Sequence, residues 1–372
     1  MNTGMDATWP DRRILDLLGI CVPILQAPMA GSALGALAIA VSNAGGLGAL
    51  ACAMLSPEKL REELASIRSR AQGPVNLNFF CHTAPRHDAE REERWRARLA
   101  ACGATLGVEP GTSTGTGGRA PFDQSACSLV EELRPEVVSF HFGLPAPDLL
   151  DRVRNSGAKI LSTATTVAEA RWLEDQGCDA IIAQGMEAGG HRGMFLTEDL
   201  ATQIGTMALV PAVVDAVRVP VIAAGGIGDA RGIAAALTLG AAAVQLGTAY
   251  LRCPEAATSA LHRAALREGD KRPTALTNVI TGRPARGLVN RIMRELGPIA
   301  ADAPDFPLPA AMLAPLRAKA ESMGSEDFSP LWAGQAAHMA LGLPAGELTR
   351  FLAEGALARL ASMPPSPNAS PR

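Results

Sequence analysis

The chain has 372 residues, of which 34 are Lys or Arg and 37 are Asp or Glu, so its formal net charge is −3. No long run of either charge sign occurs, which argues against nucleic acid and anionic membranes as partners. Its seven cysteines are scattered without a C-x-x-C pair, and residues 1–18 lack the pattern of a signal peptide, so we expect a cytoplasmic protein without disulfides or a metal site.

Eight short apolar runs, separated by helical stretches, predict buried parallel strands. Apolar runs without strict alternation are typical of strands covered on both faces, and the helices between them provide parallel crossovers. Thr166 and Asp229 suit helix N-caps, and Gly157 and Gly177 suit helix C-caps. The predicted strands are Val22–Gln26, Leu47–Cys52, Pro74–Phe79, Val137–Phe140, Lys159–Thr163, Ala180–Gln184, Val219–Ala223 and Ala243–Leu246. The sequence therefore predicts an α/β fold, a (β/α)8 TIM barrel.

Two regions lie outside this regular alternation. Residues 107–121 are dense in Gly, Thr and Pro and predict an extended loop in the third crossover. After the eighth strand we expect no further strands; helices are predicted over 316–323, behind Pro315, and over 331–341. The expected organisation is a barrel at 14–255, a C-terminal helical segment at 256–362 that packs on the barrel, and a disordered tail at 363–372.

The ends of the last two predicted strands indicate a phosphate site. Ala223-Ala224-Gly225-Gly226-Ile227 and Gln245-Leu246-Gly247-Thr248 each close an apolar run. In TIM barrels the loops after strands seven and eight commonly bind phosphate, and glycines allow backbone N–H groups to approach it closely.

A glycine-rich loop follows the sixth predicted strand and carries the strongest local signal. It reads Gln184-Gly185-Met186-Glu187-Ala188-Gly189-Gly190-His191-Arg192-Gly193. His191 stands where barrel active sites are built and can exchange a proton near neutral pH, so we expect it to be catalytic. Glu187 is either an exposed loop acid or a catalytic group. His141, at the end of the fourth strand, is assigned to the substrate side.

Other polar residues gave weaker signals. Asn76 and Asn78 lie two apart on the third strand and share one face, where they either bind a polar heterocycle or form a packing network. His82 follows that strand, whereas His87, His262 and His338 are expected on helices in solvated or structural roles. Neither a Ser-His-Asp spacing nor an H-E-x-x-H motif occurs, so no hydrolytic machinery is visible.

Taken in order, five of these segments resemble the nitronate monooxygenases, FMN-dependent barrels related in fold to flavin enoyl reductases and to inosine monophosphate dehydrogenase. The segments are Gln-Ala-Pro-Met, Asn-Phe-Phe-Cys-His, Glu-Ala-Gly-Gly-His, Ala-Gly-Gly-Ile and Gln-Leu-Gly-Thr, within residues 22–254. A weaker similarity continues in residues 282–287 and 331–335.

The resemblance implies an FMN site and a catalytic histidine. His191 would be the base or would orient the substrate, and Gly225 would lie beside the phosphate. The implied FMN-binding set is Ala27, Pro28, Met29, Asn78, Thr163, Gln184, Gly189, Gly190, Gly225, Gly226, Gln245, Leu246, Gly247 and Thr248.

The resemblance also implies an activity, the oxidation of an alkyl nitronate with O2 to a carbonyl compound and nitrite. Relatives often line the substrate pocket with tyrosines, whereas this chain reads Ala100-Ala101-Cys102-Gly103 and Asp305-Phe306-Pro307 in those stretches. The alternatives are an NAD(P)H-dependent flavin reductase acting on a quinone or enoyl thioester, and a non-flavin sugar-phosphate lyase or isomerase. The expected partners are a nitronate or nitroalkane and O2, and a homodimer is left open.

Overall fold

The computed structural model describes residues 9–113 and 119–362 and contains a barrel of eight parallel strands. These strands are β1 (Ile24–Gln26), β2 (Gly48–Ala51), β3 (Val75–Phe80), β4 (Val137–His141), β5 (Lys159–Ala164), β6 (Ala180–Gln184), β8 (Val221–Ala224) and β9 (Ala243–Leu246). They are ordered β1-β9-β8-β6-β5-β4-β3-β2, and each crossover is parallel. All eight predicted strands are therefore confirmed.

A parallel bridge between Leu25 and Leu47 closes the barrel between its first two strands. The backbone N–H of Gln26 donates to the carbonyl of Leu47 over 2.9 Å, and the N–H of Leu47 donates to the carbonyl of Ile24 over 3.0 Å. The buried Gln26 side chain reinforces this closure, since its Oε1 accepts from the N–H of Ala49 at 2.8 Å. The predicted TIM barrel is confirmed.

The helices of the described residues surround the barrel and continue beyond its last strand. They are α1 (Arg13–Leu18), α2 (Gly35–Asn43), α3 (Pro57–Arg70), α4 (Ala89–Gly103), α5 (Gln124–Leu133), α6 (Pro147–Asn155), α7 (Val167–Asp175), α8 (Thr206–Val214), α9 (Ala230–Thr238), α10 (Ala260–Arg267), α11 (Arg291–Leu296), α12 (Leu308–Ser322) and α13 (Ala345–Ala361). Thr166 and Asp229 cap α7 and α9 through their side chains, as predicted. Gly157 and Gly177 adopt φ angles of +91° and +80° just after α6 and α7. No helix in residues 9–113 and 119–362 is both long and apolar enough to cross a membrane.

The third crossover contains both α4 and α5, joined by an irregular segment after residue 106. Much of the predicted loop at 107–121 has no regular structure, and its residues 114–118 lie outside the described part of the chain. Helix α4 packs against α11 and α12 in an apolar cluster of its own, which includes Trp95, Leu99 and Leu316. The long crossover is thereby connected to the C-terminal part of the chain.

The expectation that no strand follows β9 is wrong. Strands β10 (Thr274–Thr277) and β11 (Ala285–Leu288) form an antiparallel sheet with β7 (Gly190–His191), in the order β10-β11-β7. These strands are only two to four residues long, and the alternation that identifies a strand needs a longer segment. The small sheet pairs the glycine-rich loop with the C-terminal segment.

Two helix predictions in the C-terminal segment need correction. Helix α12 begins at Leu308, so Pro315 lies inside it, because Met312, Leu313 and Leu316 bury one face in the second apolar cluster. Residues 331–341 are not an α-helix; they contain only a 3-10 turn at Ala337–Met339. Their backbone instead bonds to the barrel loops, as the N–H of Gly334 does to Thr248 Oγ1 at 2.9 Å.

Helix α13 packs against α9 and α2 on the outside of the barrel. Its residues Leu348, Leu352 and Ala356 belong to the same apolar core as the barrel strands. It lies within the predicted segment 256–362 yet fills a place in the ring of barrel helices. The predicted tail, 363–372, lies outside the described residues.

Candidate active site

A cavity of about 490 Å³ opens at the carboxyl ends of the barrel strands. The C-terminal segment forms one of its walls, through Leu331, Trp332 and Gly334. Every residue predicted to bind the cofactor lines this cavity except Leu246, which is buried in strand β9. His191 and His141 line it as well. The structure thus brings residues from eight separate sequence segments to one cavity.

The two predicted phosphate-binding segments are neighbours in space, because β8 and β9 pair in register at Ala224 and Gln245. Gly225 and Gly226 adopt φ angles of +113° and +69°, a backbone conformation that strongly favours glycine. A Cβ on Gly225 would lie 3.0 Å from backbone atoms of the glycine-rich loop. The turn after β8 therefore keeps its backbone open toward the cavity, as a phosphate cradle requires.

Strand β7 holds His191 by its backbone and its side chain. Register pairing places His191 opposite Ala285 of β11. Its Nε2 lies 2.9 Å from Thr281 Oγ1, and no bond to Nδ1 is formed by the described residues. The ring is thus fixed from the C-terminal segment while a second nitrogen remains available to a ligand.

The carbonyl of His191 accepts two hydrogen bonds that fix the loop on the barrel. Gln184 Nε2 donates to it over 3.0 Å, and His141 Nε2 donates to it over 3.1 Å. Gln184 Oε1 accepts from the N–H of Gly193 at 2.8 Å, so its amide bridges two points of the loop. His141 Nδ1 accepts from the Thr163 hydroxyl at 3.1 Å. Both ring nitrogens of His141 are occupied, which makes it a support for His191.

Aromatic rings surround the His191 imidazole. The ring centroids of Phe306, Trp332, Phe142 and Phe80 lie 5.2, 5.5, 6.0 and 6.3 Å from that of His191. Burial, followed by the positive charge of Arg119, holds the pKa of His191 well below its ordinary value. A neutral imidazole is the form that accepts a proton, so the site favours His191 as a base.

Two charged residues hold the glycine-rich loop in place, a role that the sequence analysis assigned to neither of them. Arg192 is fully buried, and its guanidinium donates to the carbonyls of Gln184 and Gly185, both at 2.7 Å. Glu187 accepts from the N–H and hydroxyl of Thr206, both at 2.9 Å, at the start of α8. Glu187 is therefore neither an exposed acid nor a catalytic one, but fixes the loop to a helix N-terminus.

The two strand asparagines both bond to Ser139. Asn76 Nδ2 and Asn78 Nδ2 donate to its hydroxyl over 2.9 and 2.8 Å. Of the two, only Asn78 reaches the cavity wall. Gln245 also lines the cavity, and its buried Oε1 has no hydrogen-bond partner among the described residues. An unpaired buried acceptor is costly, and a ligand with an N–H or O–H donor would satisfy it.

The remaining histidines do not all follow expectation. His262 lies on helix α10, but it is buried and lines the cavity, and burial lowers its pKa to about 4. His82 is buried against Phe306, with ring centroids 4.8 Å apart. His87 precedes helix α4 and contacts Glu92. His338 is exposed, in the 3-10 turn.

Two arginines of the cavity wall were also missed. Arg119, at the end of the long crossover loop, is half-buried, and burial, followed by the charge of Arg317, lowers the pKa of its guanidinium. Arg317, on helix α12, pairs with Glu321 at 2.8 Å. Neither residue belongs to a recognisable motif, and only the packing of the crossover against the C-terminal segment brings them to the site.

Sequence comparison decides the family. A profile of the family described as nitronate monooxygenase matches residues 11–355. This chain belongs to the nitronate monooxygenase family. It is 44% identical over 344 residues to the nitronate monooxygenase of Pseudomonas aeruginosa, covering 92% of this chain and 98% of the relative. It is 41% identical to that of Paraburkholderia phytofirmans, covering 92% and 94%.

Structural comparison agrees with this assignment. Nitroalkane oxidase from Streptomyces ansochromogenes superposes with a TM-score of 0.85 at 39% identity, covering 94% of this chain and 99% of that one. FabK from Thermotoga maritima is more distant, with a TM-score of 0.70 at 26% identity over 95% and 98%. The expected family and oxidoreductase class are confirmed, and the nitronate monooxygenase family is flavin-dependent.

Proposed function

We propose that this protein is an FMN-dependent oxidoreductase that oxidises alkyl nitronates with O2 to a carbonyl compound and nitrite. One observation carries the proposal: a half-buried histidine whose pKa is lowered and an open glycine cradle lie in the same cavity, which is large enough for a cofactor. The phosphate cradle and the histidine would then serve the two ends of one cofactor site.

The residues of the cavity fit FMN. Gly225, Gly226, Gly247 and Thr248 would hold its phosphate, because two of these glycines have φ angles that expose backbone N–H groups. The unpaired Oε1 of Gln245 offers an acceptor to a donor group of the cofactor. Asn78 and the turn Ala27–Met29 would contact the ring system. When bound, the flavin supplies the electron-transfer chemistry.

The chain's own part is to bind, orient and deprotonate the substrate. His191 Nδ1 would accept the α-proton of a neutral nitroalkane, since its Nε2 is held by Thr281. Phe80 and Trp332, which line the cavity beside His191, would exclude water around the reacting carbon. Gln184 and His141 keep the His191 backbone in place through their bonds to its carbonyl.

The experiment has two parts. The cofactor released from the purified protein is identified, and the protein is then mixed anaerobically with each candidate reductant while the flavin absorbance is followed. We expect one FMN per chain, identified after denaturation, and bleaching of its absorbance by ethyl nitronate without NADH. Bleaching by NADH but not by ethyl nitronate would instead indicate a flavin reductase. Protein that binds no flavin would exclude both activities.

The variant His191→Asn should keep its FMN and lose about 10²- to 10⁴-fold in turnover of nitroethane. The matched control is His338→Asn, because His338 is exposed and outside the cavity wall. Equal turnover in the two variants would remove His191 from the mechanism.

A further inference from the structure

Arg119 carries a charge that nothing in the described chain neutralises. Its side chain lines the cavity and is half-buried, yet it forms no ion pair or hydrogen bond with a described carboxylate. The five neighbouring residues 114–118 are all Thr or Gly and contribute no carboxylate by sequence. A cation that is partly removed from water and has no ion-pair partner is stabilised when an anionic ligand supplies the counter-ion.

The other charged groups of the cavity wall balance one another. Arg317 donates to Glu321 Oε1 at 2.8 Å, and Glu321 also accepts from the hydroxyl of Ser329 at 2.7 Å. Arg283 does not line the cavity; its guanidinium lies 4.2 Å from the centre of the Phe142 ring and donates to the carbonyl of Met194. Arg119 is therefore the cation left for an anionic ligand.

This cation and His191 line the same cavity. After burial, Arg119 is the largest influence on the pKa of His191, ahead of His141, Arg283 and His82. Burial and then the charge of Arg283 are the main causes of the low pKa of His82, and the charge of Arg119 adds a smaller effect. The ring of His82 packs on Phe306, and Phe306 in turn packs on His191. The neutral His191 cannot offer a positive charge to an anion, whereas Arg119 can.

We propose that Arg119 binds the two oxygens of the reacting nitro or nitronate group. The inference rests on the proposed function and names a further residue for it. A guanidinium presents two N–H donors in a planar fork that matches two oxygens on one planar atom. A nitronate has this O–N–O arrangement and a full negative charge.

Arg119 also acts in the step that forms the nitronate. When His191 Nδ1 takes the α-proton of a nitroalkane, the C–H bond breaks and its electron pair forms a C=N bond. The negative charge then moves to the two nitro oxygens, and His191 becomes a cation. Donors aimed at oxygens that gain charge during a step lower its barrier, and the Arg119 fork would do so here.

The test uses Arg119→Met and Arg119→Lys in the flavin-loaded protein. Nitrate, a planar anion that cannot react, is titrated while the flavin absorbance is followed, and kcat and KM are measured with ethyl nitronate. We expect unchanged flavin content in both variants. In Arg119→Met, nitrate affinity and kcat/KM should fall about 10- to 100-fold, mainly through KM. Arg119→Lys should lose less, because it keeps the charge but not the fork.

The control is Arg61→Met, because Arg61 pairs with Glu132 at 2.7 Å on the exposed surface. It should match the wild type in every measurement. Unchanged nitrate affinity and KM in Arg119→Met would overturn the proposal. Loss of flavin would assign Arg119 to the cofactor, and a loss confined to the nitronate of 4-nitrobutyrate would assign it to a substrate carboxylate; either outcome overturns it.

Failure of the proposed function has a different signature. In that case the wild type does not oxidise ethyl nitronate, and the nitrate titration alone decides whether Arg119 is an anion site. If the wild type and Arg119→Met oxidise ethyl nitronate equally well, the proposed function is supported, but the assignment of Arg119 to the nitronate oxygens is wrong.

Discussion

His191 Nε2 and Thr281 Oγ1 lie 2.9 Å apart and join the glycine-rich loop to the C-terminal segment. The Thr281 hydroxyl donates in turn to the carbonyl of Arg283, at 3.4 Å. We infer that the hydroxyl uses its hydrogen for that carbonyl and accepts the hydrogen bond from His191 Nε2. The proton of the neutral imidazole then sits on Nε2, and Nδ1 keeps the lone pair that a base needs.

Thr281→Val should therefore impair proton abstraction more than oxidation. Without the Thr281 hydroxyl, the imidazole proton can sit on Nδ1 as well as on Nε2, and only the second form has a basic Nδ1. We expect kcat/KM with nitroethane to fall about tenfold, the loss that corresponds to the free energy of one hydrogen bond. Ethyl nitronate needs no deprotonation, so its oxidation should change little. Thr281→Ser keeps the hydroxyl and should restore the nitroethane rate.

Steady-state rates with both substrates, at equal flavin content, test this prediction. Equal losses with nitroethane and ethyl nitronate would mean that Thr281 supports the fold of the site and does not select the His191 tautomer. Failure of Thr281→Ser to restore activity would have the same meaning.

The pH dependence of nitroethane turnover should reflect the lowered pKa of His191. A base must be unprotonated, so kcat/KM should stay level from pH 8 to below 6.5 and decline only at lower pH. Burial is the main cause of the low pKa and Arg119 the next, while His141, Arg283 and His82 contribute in the same direction. In Arg119→Met the decline should move to higher pH, since one positive charge is removed.

The pH–rate profiles of wild type and Arg119→Met with nitroethane test this pH dependence. Profiles with ethyl nitronate, which needs no proton abstraction, serve as the reference. A wild-type decline centred near pH 6.5, the ordinary histidine value, would contradict a buried His191. A shift toward lower pH in Arg119→Met would contradict the electrostatic link between Arg119 and His191.

The barrel could be predicted from the sequence because its signals are local. Each strand is a short apolar run, and the caps at Thr166 and Asp229 depend on residues within one helical turn. His191 could be singled out because glycines surround it in one continuous segment. The family resemblance then gave the cofactor set, which the structure gathers around one cavity apart from Leu246.

The covering of the site could not be predicted, because its contacts join distant residues. Thr281 lies 90 residues from His191, and their hydrogen bond leaves no periodic pattern. The short strands β10 and β11 form where the backbone finds a partner in the glycine-rich loop, so their local sequence says little. Arg119 reaches the cavity wall because its loop contacts helix α12, where the N–H of Gly111 donates to the carbonyl of Met312 over 2.8 Å.

Gly189→Ala should loosen the contact between the glycine-rich loop and the C-terminal segment. A Cβ on Gly189 would lie 2.5 Å from Gly334 N and 2.6 Å from the carbonyl carbon of Ala333, and backbone atoms cannot rotate away. We expect weaker FMN binding and a lower melting temperature, by several degrees for a cost of about 1–3 kcal/mol.

Gly342→Ala is the matched control, because a Cβ at Gly342 would meet no atom within 4 Å. Flavin retention during dialysis and thermal unfolding measure the two effects. If Gly189→Ala and Gly342→Ala have the same FMN affinity and stability, the glycine-rich loop and the C-terminal segment can move apart more easily than their packing indicates.

His141 should make the folded protein less stable as the pH falls. Burial lowers its pKa to about 4 in the folded protein, whereas an unfolded histidine titrates near 6.5. Between these values the unfolded chain binds the proton and the folded chain does not, so the free energy of unfolding decreases as pH falls from 6.5 toward 4. The decrease from this residue is on the order of 3 kcal/mol. His262, with a similar pKa, adds a decrease in the same direction.

Urea unfolding at several pH values between 7 and 4.5, in wild type and His141→Gln, measures this contribution. The variant should be less stable at pH 7, because it loses bonds to Thr163 and to the His191 carbonyl, but its stability should change less with pH. His338→Gln, at an exposed position, should follow the wild-type curve. Parallel pH curves for wild type and His141→Gln would show that His141 has the same pKa in the folded and the unfolded protein, and the lowering of its pKa by burial would then be wrong.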